Sequence, residues 1–475
     1  MNTAQQVAKN TSVVMGGDLT FRLISLLVIA YLGRYLGPVG FGKYNFVFAY
    51  LSLFGVISNL GLQTILVREM SREPSTAPKL IGNAYIIRTL LTILAVALAL
   101  IAISFMSYPP DTTSYIYVAS FTLLFISFSD FYATIFQANL KMAYREIAKL
   151  TFKLIESVLI FWIIFSQGTL MQVMIVHVFA EMVKTLISFV YSRKLVIPKL
   201  EIDVELWKYL MKEALPISLA GVIFIIYARI DIIMLSMMQG DASVGIYSAA
   251  HKLSEPLSLI PIALLTSVFP IMSASSKTST ESLIRLYNLS TRYLYIITIP
   301  ISVGITVLAE KIIRLIYGAE FADSALVLQL LIWTLVVSSA AYVLTDLLIS
   351  TGKQKQYSGG MAFSAIANVA LNYILIPKYS YNGAAIATVL TNLVLFLASF
   401  YFCSKQLHLP PVRSTVIKST IGGILMGAVV YYFMEVNIVL QIVLGAGIYL
   451  MSLLALKTFS SEDFYIIKRV LLKTR

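Results

Sequence analysis

The run Leu215-Pro216-Ile217-Ser218-Leu219-Ala220-Gly221-Val222-Ile223-Phe224-Ile225-Ile226-Tyr227-Ala228-Arg229-Ile230-Asp231-Ile232-Ile233-Met234-Leu235 decides the fold class. It is long and apolar enough to cross hydrocarbon as a helix, which takes about 17–25 residues. A short turn follows, Gly240-Asp241-Ala242-Ser243-Val244-Gly245-Ile246-Tyr247, and then a second apolar helix with His251, Lys252, Glu255 and Pro256. A charge at the centre of such a helix costs about 2.5–3.5 kcal/mol on insertion scales. Arg229, Asp231, Lys252 and Glu255 are therefore expected to face a bundle interior or a watered cavity.

The turn has an echo nearer the N-terminus, Gly37-Pro38-Val39-Gly40-Phe41-Gly42-Lys43-Tyr44. Gly37, Gly42 and Tyr44 fall on Gly240, Gly245 and Tyr247 at one constant offset. Each turn links two apolar helices, so the pattern predicts an internal duplication.

Composition agrees. The chain of 475 residues is 59% hydrophobic and 12% charged, with a mean hydropathy of +0.85. A soluble chain of that length shows far more charge, so this is a polytopic membrane protein. The polar first residues predict no secretory signal peptide. Cys403 is the only cysteine, which excludes an intrachain disulfide and a cysteine metal cluster. Fourteen spans are predicted near 11–33, 44–66, 80–107, 113–137, 151–166, 170–192, 214–238, 244–272, 291–310, 324–350, 357–376, 382–404, 414–434 and 437–457.

Loop charge orients them. With the N-terminus in the cytoplasm, the inside segments hold 26 Lys and Arg, Lys149 and Lys153 included, against 5 outside. The positive-inside rule produces this bias, with both termini cytoplasmic. The net charge of +13 thus reads as orientation, and no nucleic-acid partner is expected. The longest loop, Arg193 to Glu213, ends in a short amphipathic helix suited to the interface. It divides a first bundle, 1–199, from a second, 214–404, through a linker at 200–213. Residues 405–475 add two more spans and a basic cytoplasmic tail.

Several polar groups fall within spans. Asp18 and Arg22 share one helical face at i, i+4, acid first, the better order for a pair. Arg229 and Asp231 are two apart and point to different faces. His177, Glu181, Lys184 and Ser188 form a stripe on the sixth span, and His251, Lys252 and Glu255 another on the eighth. A His and a Glu one turn apart supply only two metal ligands, so no metal site is expected. Ser127, Asp130, Thr134 and Gln137, and likewise Asn368 and Asn372, suit polar seams between helices. Arg88 is near enough to the inner surface to snorkel. No Walker loop, Gly-x-Ser-x-Gly or zinc motif occurs, so the chain reads as neither an enzyme nor, by itself, an ATP-driven pump.

Three segments carry a resemblance. Leu32-Gly33-Arg34-Tyr35-Leu36-Gly37-Pro38-Val39-Gly40-Phe41-Gly42-Lys43-Tyr44 looks like the opening signature of polysaccharide-biosynthesis flippases. Arg229-Ile230-Asp231-Ile232-Ile233-Met234-Leu235 with Val244-Gly245-Ile246-Tyr247-Ser248-Ala249-Ala250 is similar, as is Asn382-Gly383-Ala384-Ala385-Ile386-Ala387-Thr388. These flippases belong to the multidrug/oligosaccharidyl-lipid/polysaccharide exporter superfamily. The resemblance implies an all-α integral membrane fold: two six-helix bundles with pseudo-twofold symmetry across a central cavity, plus two C-terminal helices. It implies movement of a polyprenyl-diphosphate-linked oligosaccharide from the cytoplasmic to the outer leaflet by alternating access, coupled to an H+ or Na+ gradient. The expected location is the cytoplasmic membrane, with glycan-assembly enzymes as candidate partners and no cofactor. Arg22, Arg229 and Lys252 are then the candidates to bind the anionic headgroup, because Arg grips phosphate through paired hydrogen bonds. Asp18, Asp231 and Glu255 are the candidates for ion coupling. The alternatives are a cation-coupled drug exporter of the same superfamily and, from another class, a membrane glycosyltransferase or polymerase. The latter normally needs a large outer loop or a carboxylate motif, and neither is present.

Overall fold

A computed structural model describes residues 3–405, 407, 409 and 412–459; the basic tail expected from Glu462 to Arg475 lies outside them. All regular structure among the described residues is helical. The chain forms two compact units, Met1–Gly245 and Ile246–Arg475. The first contains α1 (Thr3–Asn59), α2 (Leu62–Arg72), α3 (Ala77–Ser104), α4 (Pro110–Ala119), α5 (Phe121–Ala138), α6 (Met142–Phe165), α7 (Leu170–Arg193) and α8 (Val204–Gln239). The boundary falls within α9 (Asp241–Ser254). The second unit continues with α10 (Leu259–Thr278), α11 (Thr280–Tyr317), α12 (Ser324–Leu331), α13 (Trp333–Ser350), α14 (Gln354–Ser404), α15 (Arg413–Tyr432) and α16 (Ile438–Ala455).

Eleven helical segments among the described residues are long and apolar enough to cross a membrane, where the sequence predicts fourteen spans. Two segments are unusually long. Ser12–Arg72, 61 residues, takes in the predicted spans 11–33 and 44–66 and leaves helical geometry at Gly37. Gln354–Ser404, 51 residues, takes in 357–376 and 382–404 and does so at Ser380. The short predicted span 151–166 is part of α6, which begins at Met142 and carries Arg145, Glu146, Lys149, Lys153 and Glu156. Those charges keep it below the hydropathy of a lipid-facing span.

Unit 1 has a core where α2, α3 and α5 meet the start of α8, built on Leu62, Ile65, Leu66, Ile81, Phe131, Phe136 and Leu210. The amphipathic stretch expected as a separate linker helix is instead the first turns of α8. Asp203 caps that helix by accepting from the Leu206 N–H at 3.0 Å. The chain before it is strapped to α3. The backbone N–H of Asp203 and the indole N–H of Trp207 both donate to Asn83 Oδ1 at 2.8 Å, and Lys199 N–H donates to the Pro78 carbonyl. Unit 2 has a core of Leu265, Met272, Leu283, Leu344, Leu347 and Leu348, with α15 and α16 against α11. Gly423 and Gly427 sit against Val303, the close backbone approach that drives helix association in lipid.

The two echoing turns meet within unit 1. A Cβ on Gly42 would overlap the Asp241 carbonyl, and one on Gly245 would overlap the Pro38 carbonyl. Asp241 stands to the second turn as Pro38 does to the first, so the contact is reciprocal, as a local twofold relation requires. Gly37 (φ 63°, ψ 178°) and Gly240 (φ 79°, ψ −178°) share one backbone conformation that favours glycine.

Candidate functional site

Four side chains of α6, Glu146, Lys149, Lys153 and Glu156, follow at spacings of three, four and three, which places them on one helical face. Helices α1 and α7 cover that face. At one end Lys149 pairs with Asp18 of α1 and donates to Glu146 at 2.9 Å. A turn further on, Lys153 donates to Glu156 Oε2 at 2.7 Å while His177 Nδ1 of α7 lies 2.6 Å from Oε1. Glu156 is only 3% exposed, and both of its oxygens are occupied. Phe48 and Phe152 pack on the His177 ring, at 4.5 and 5.5 Å between centroids. Lys184 pairs with Glu181 at 2.5 Å on α7 and lies over Phe152. Lys149 and Lys153 both lie over the Phe21 ring, at 5.3 and 5.4 Å. Two acids thus flank two bases on α6; Glu146, Lys153 and Glu156 are buried, whereas Asp18 at the end of the row is half exposed. The pairing matters most at the buried end, where an unpaired charge is far costlier than a paired one.

This arrangement corrects three expectations. Asp18 takes Lys149 as its partner, not Arg22, because α6 brings an ammonium group to it; Arg22 is exposed and has no carboxylate partner among the described residues. Lys149 and Lys153 belong to a packed helix, not a cytoplasmic loop, and the loop bias survives without them. Arg88 does not snorkel. It is 1% exposed, donates from Nε to Ser127 Oγ at 3.0 Å and from a terminal nitrogen to Asn59 Oδ1 at 3.3 Å, and lies over Phe131.

On α8, Arg229 is half-buried and Asp231 is 5% exposed, with Oδ1 accepting from the Ile232 N–H at 2.8 Å. In unit 2, Lys252 is half-buried and Glu255 exposed; His251 Nδ1 lies 3.5 Å from Glu255. The helix tightens to a 3-10 turn over Glu255–Ser258, where Pro256 removes a backbone donor. Asn368 and Asn372 are buried, as a seam requires, and Asn368 donates to Thr391 Oγ1 at 3.2 Å. Glu146 and Glu156 of α6 are the main groups that the sequence reading does not single out. Asp346 is another: it lines a cavity of about 390 Å³ with Thr266, Tyr342 and Tyr357. No group of three metal-ligating side chains occurs among the described residues.

The family described as Polysaccharide biosynthesis protein matches residues 7–276, more than half of the chain. The chain belongs to that family. The resemblance read from the three motifs is borne out, and the MatE family also matches, over residues 216–374. The probable low-salt glycan biosynthesis flippase Agl15 of Haloferax volcanii is 24% identical over 223 residues, 46% of this chain and 47% of that protein. The chain therefore spans about half the length of that relative. The capsular polysaccharide biosynthesis protein CapF of Staphylococcus aureus is 22% identical over 413 residues, 84% of this chain and 100% of CapF. Among solved structures, the lipid II flippase MurJ in an inward closed conformation aligns with a TM-score of 0.77 at 17% identity, covering 96% of this chain and 98% of MurJ. The chain is thus a multi-pass membrane protein with the fold of MurJ.

Proposed function

We propose that this protein is a flippase that moves a polyprenyl-diphosphate-linked oligosaccharide from the cytoplasmic to the outer leaflet by alternating access, for assembly of a surface glycan. Family membership carries the reading, and the functions named for Agl15, CapF and MurJ support it. A bulky dianionic headgroup cannot cross hydrocarbon unaided, so the chain must offer cations along the path. Arg22, Arg229 and Lys252 take that role. The protein sits in the cytoplasmic membrane with both termini inside and fourteen spans, six before the 200–213 linker and eight after it. Glycan-assembly enzymes supply its substrate.

Coupling is to an H+ or Na+ gradient through Asp18, Asp231 and Glu255. The contact with Lys149 supports the choice of Asp18, because neutralising or cation-loading this carboxylate would leave Lys149 with Glu146 alone and change the charge at this end of α6. Purified protein in vesicles with a labelled lipid-linked glycan tests the whole reading. Arg229→Ala and Arg22→Ala should keep membrane abundance and lose translocation, and Arg229→Lys should fall between Ala and Arg. Asp18→Ala should not rescue Arg22→Ala. Full translocation by a well-expressed Arg22→Ala, Arg229→Ala double variant overturns the headgroup assignment, and indifference to both ion gradients overturns the coupling. The MatE match over 216–374 favours one second reading, a cation-coupled exporter of small molecules. Efflux of organic cations by the same vesicles, with no glycan movement, would establish it.

A further inference from the structure

Where α7 ends, α3, α5, α7 and the strap before α8 enclose a cavity of about 210 Å³. Its walls include Tyr85, Phe131, Tyr132 and Phe189, with Arg193 at the rim. The volume is below the about 300–1,000 Å³ of pockets that take drug-sized molecules, and the walls are largely aromatic. It suits part of one flexible apolar chain.

The surroundings narrow the occupant. The strap exposes Ile197, Leu200 and Ile202, which water would penalise and a bilayer interface would accept. The acids of this region already have cations: Glu201 pairs with Lys199, Asp203 with Lys79, Glu205 with Lys208 and Glu213 with Arg68. Arg193 and Lys194 do not share them. Among the described residues their charges rest on ring faces, Arg193 over Phe189 and Lys194 over Tyr191, both at 5.1 Å. Both side chains are exposed. A cation without a carboxylate at the cavity, Arg193, with a second, Lys194, next to it in the chain and exposed aliphatic groups beside them, matches one molecule end to end.

We propose that this is a binding site for an anionic phospholipid, with the phosphate on Arg193 and Lys194 and one acyl chain among Tyr85, Phe131, Tyr132 and Phe189. A bound chain would brace the strap, which otherwise holds to α3 through the Asn83 and Pro78 hydrogen bonds and the Lys79–Asp203 pair. The site uses none of the residues assigned to the headgroup or to coupling.

The test takes the full chain in nanodiscs of phosphatidylcholine with a minor fraction of phosphatidylglycerol. After transfer to detergent, native mass spectrometry counts retained lipid and a melting curve reports stability. Wild type should retain phosphatidylglycerol in preference to phosphatidylcholine and melt higher with it. Arg193→Ala with Lys194→Ala should hold it about thirtyfold more weakly, the effect expected of two basic residues at a lipid surface. Arg193→Lys should keep most of the preference. Soluble glycerol phosphate should not protect; equal protection by it would place the ligand in water and overturn the lipid assignment. Equal retention of the two lipids by wild type would also overturn it, as would undiminished phosphatidylglycerol retention by the double variant. Because both cations are exposed, a monodisperse elution profile distinguishes lost binding from lost folding.

Discussion

The turns at Gly37–Tyr44 and Gly240–Tyr247 share a backbone and differ in almost every side chain that bears on function. Both begin with a glycine at positive φ, and both place a second glycine against the other's carbonyl. Beyond the turns the offset of 203 residues sets Phe48 against His251, Ala49 against Lys252 and Ser52 against Glu255. The first turn's helix is apolar where the second is charged, and unit 1 supplies its charges from α6 and α7. The cations before the turns are also unmatched. Arg22 lies 15 residues before Gly37 and Arg229 lies 11 before Gly240, or ~22 and ~16 Å of helix at about 1.5 Å per residue. The repeated pattern thus extends to where the chain bends and where the turns touch, and not to the charges.

The sharpest contrast is between two His–Glu contacts. Glu156 is buried and held by His177 and Lys153, whereas Glu255 is exposed, with His251 at 3.5 Å. Glu156→Ala strands Lys153 in a dry interior, and breaking a buried pair this way costs about 3–5 kcal/mol. Glu255→Ala should cost at most about 1 kcal/mol, as exposed pairs do. Melting curves of the purified protein should show the first variant collapsed or strongly destabilised and the second near wild type. Similar shifts would mean that the charges repeat after all.

The glycine contact predicts the opposite, equality. Gly42→Val and Gly245→Val each drive a side chain into backbone carbonyls, so each should cost at least the about 1–3 kcal/mol typical of overpacking among side chains. Because the contact is reciprocal, the two melting shifts should agree within error, and the double variant should fall short of their sum. A large effect at only one position would break the symmetry. Gly240→Ala separates space from backbone angle. A Cβ there meets nothing within 4 Å, yet φ is +79° with ψ −178°, a region almost confined to glycine, so its cost should be about 1–3 kcal/mol from backbone strain alone.

Legibility in the sequence follows the same division. Apolar runs and paired glycines are local signals, so the helical membrane class, the family and both turns could be read directly. The Asn368 and Asn372 seam was equally visible, because a buried amide one turn from another has few other uses. Partners across helices were not. The i, i+4 rule paired Asp18 with Arg22, but the nearest cation came from α6, about 130 residues away, at Lys149. Charge counting assigned Lys149 and Lys153 to a loop because it weighs residues singly. The three-four-three spacing from Glu146 to Glu156 was the available sign that they form one face. Arg88 escapes sequence reasoning for a related reason: position near a span's end says nothing of Ser127 and Asn59 on neighbouring helices.

The smallest expected effect concerns the residue that follows the contacting glycine of each turn, Gly42 and Gly245. Lys43 follows Gly42 and pairs with Asp111; Ile246 follows Gly245, and its carbonyl accepts from Ser324 Oγ at 2.8 Å. One turn is thus held by a side-chain charge and the other through backbone. The Lys43–Asp111 pair is partly open, with Asp111 about half exposed, so it contributes no more than about 1 kcal/mol. Its contribution is screened by salt, with a Debye length near 10 Å at 0.1 M and about 3 Å at 1 M. Lys43→Met should therefore lower the melting temperature slightly at low salt and not at all at high salt. Ser324→Ala removes a neutral hydrogen bond of about 0.5–1.5 kcal/mol, and its shift should be the same at both salt concentrations. A salt-independent Lys43→Met shift would show that Lys43 acts through the packing of its aliphatic stem, and the two turns would then be held by the same kind of force.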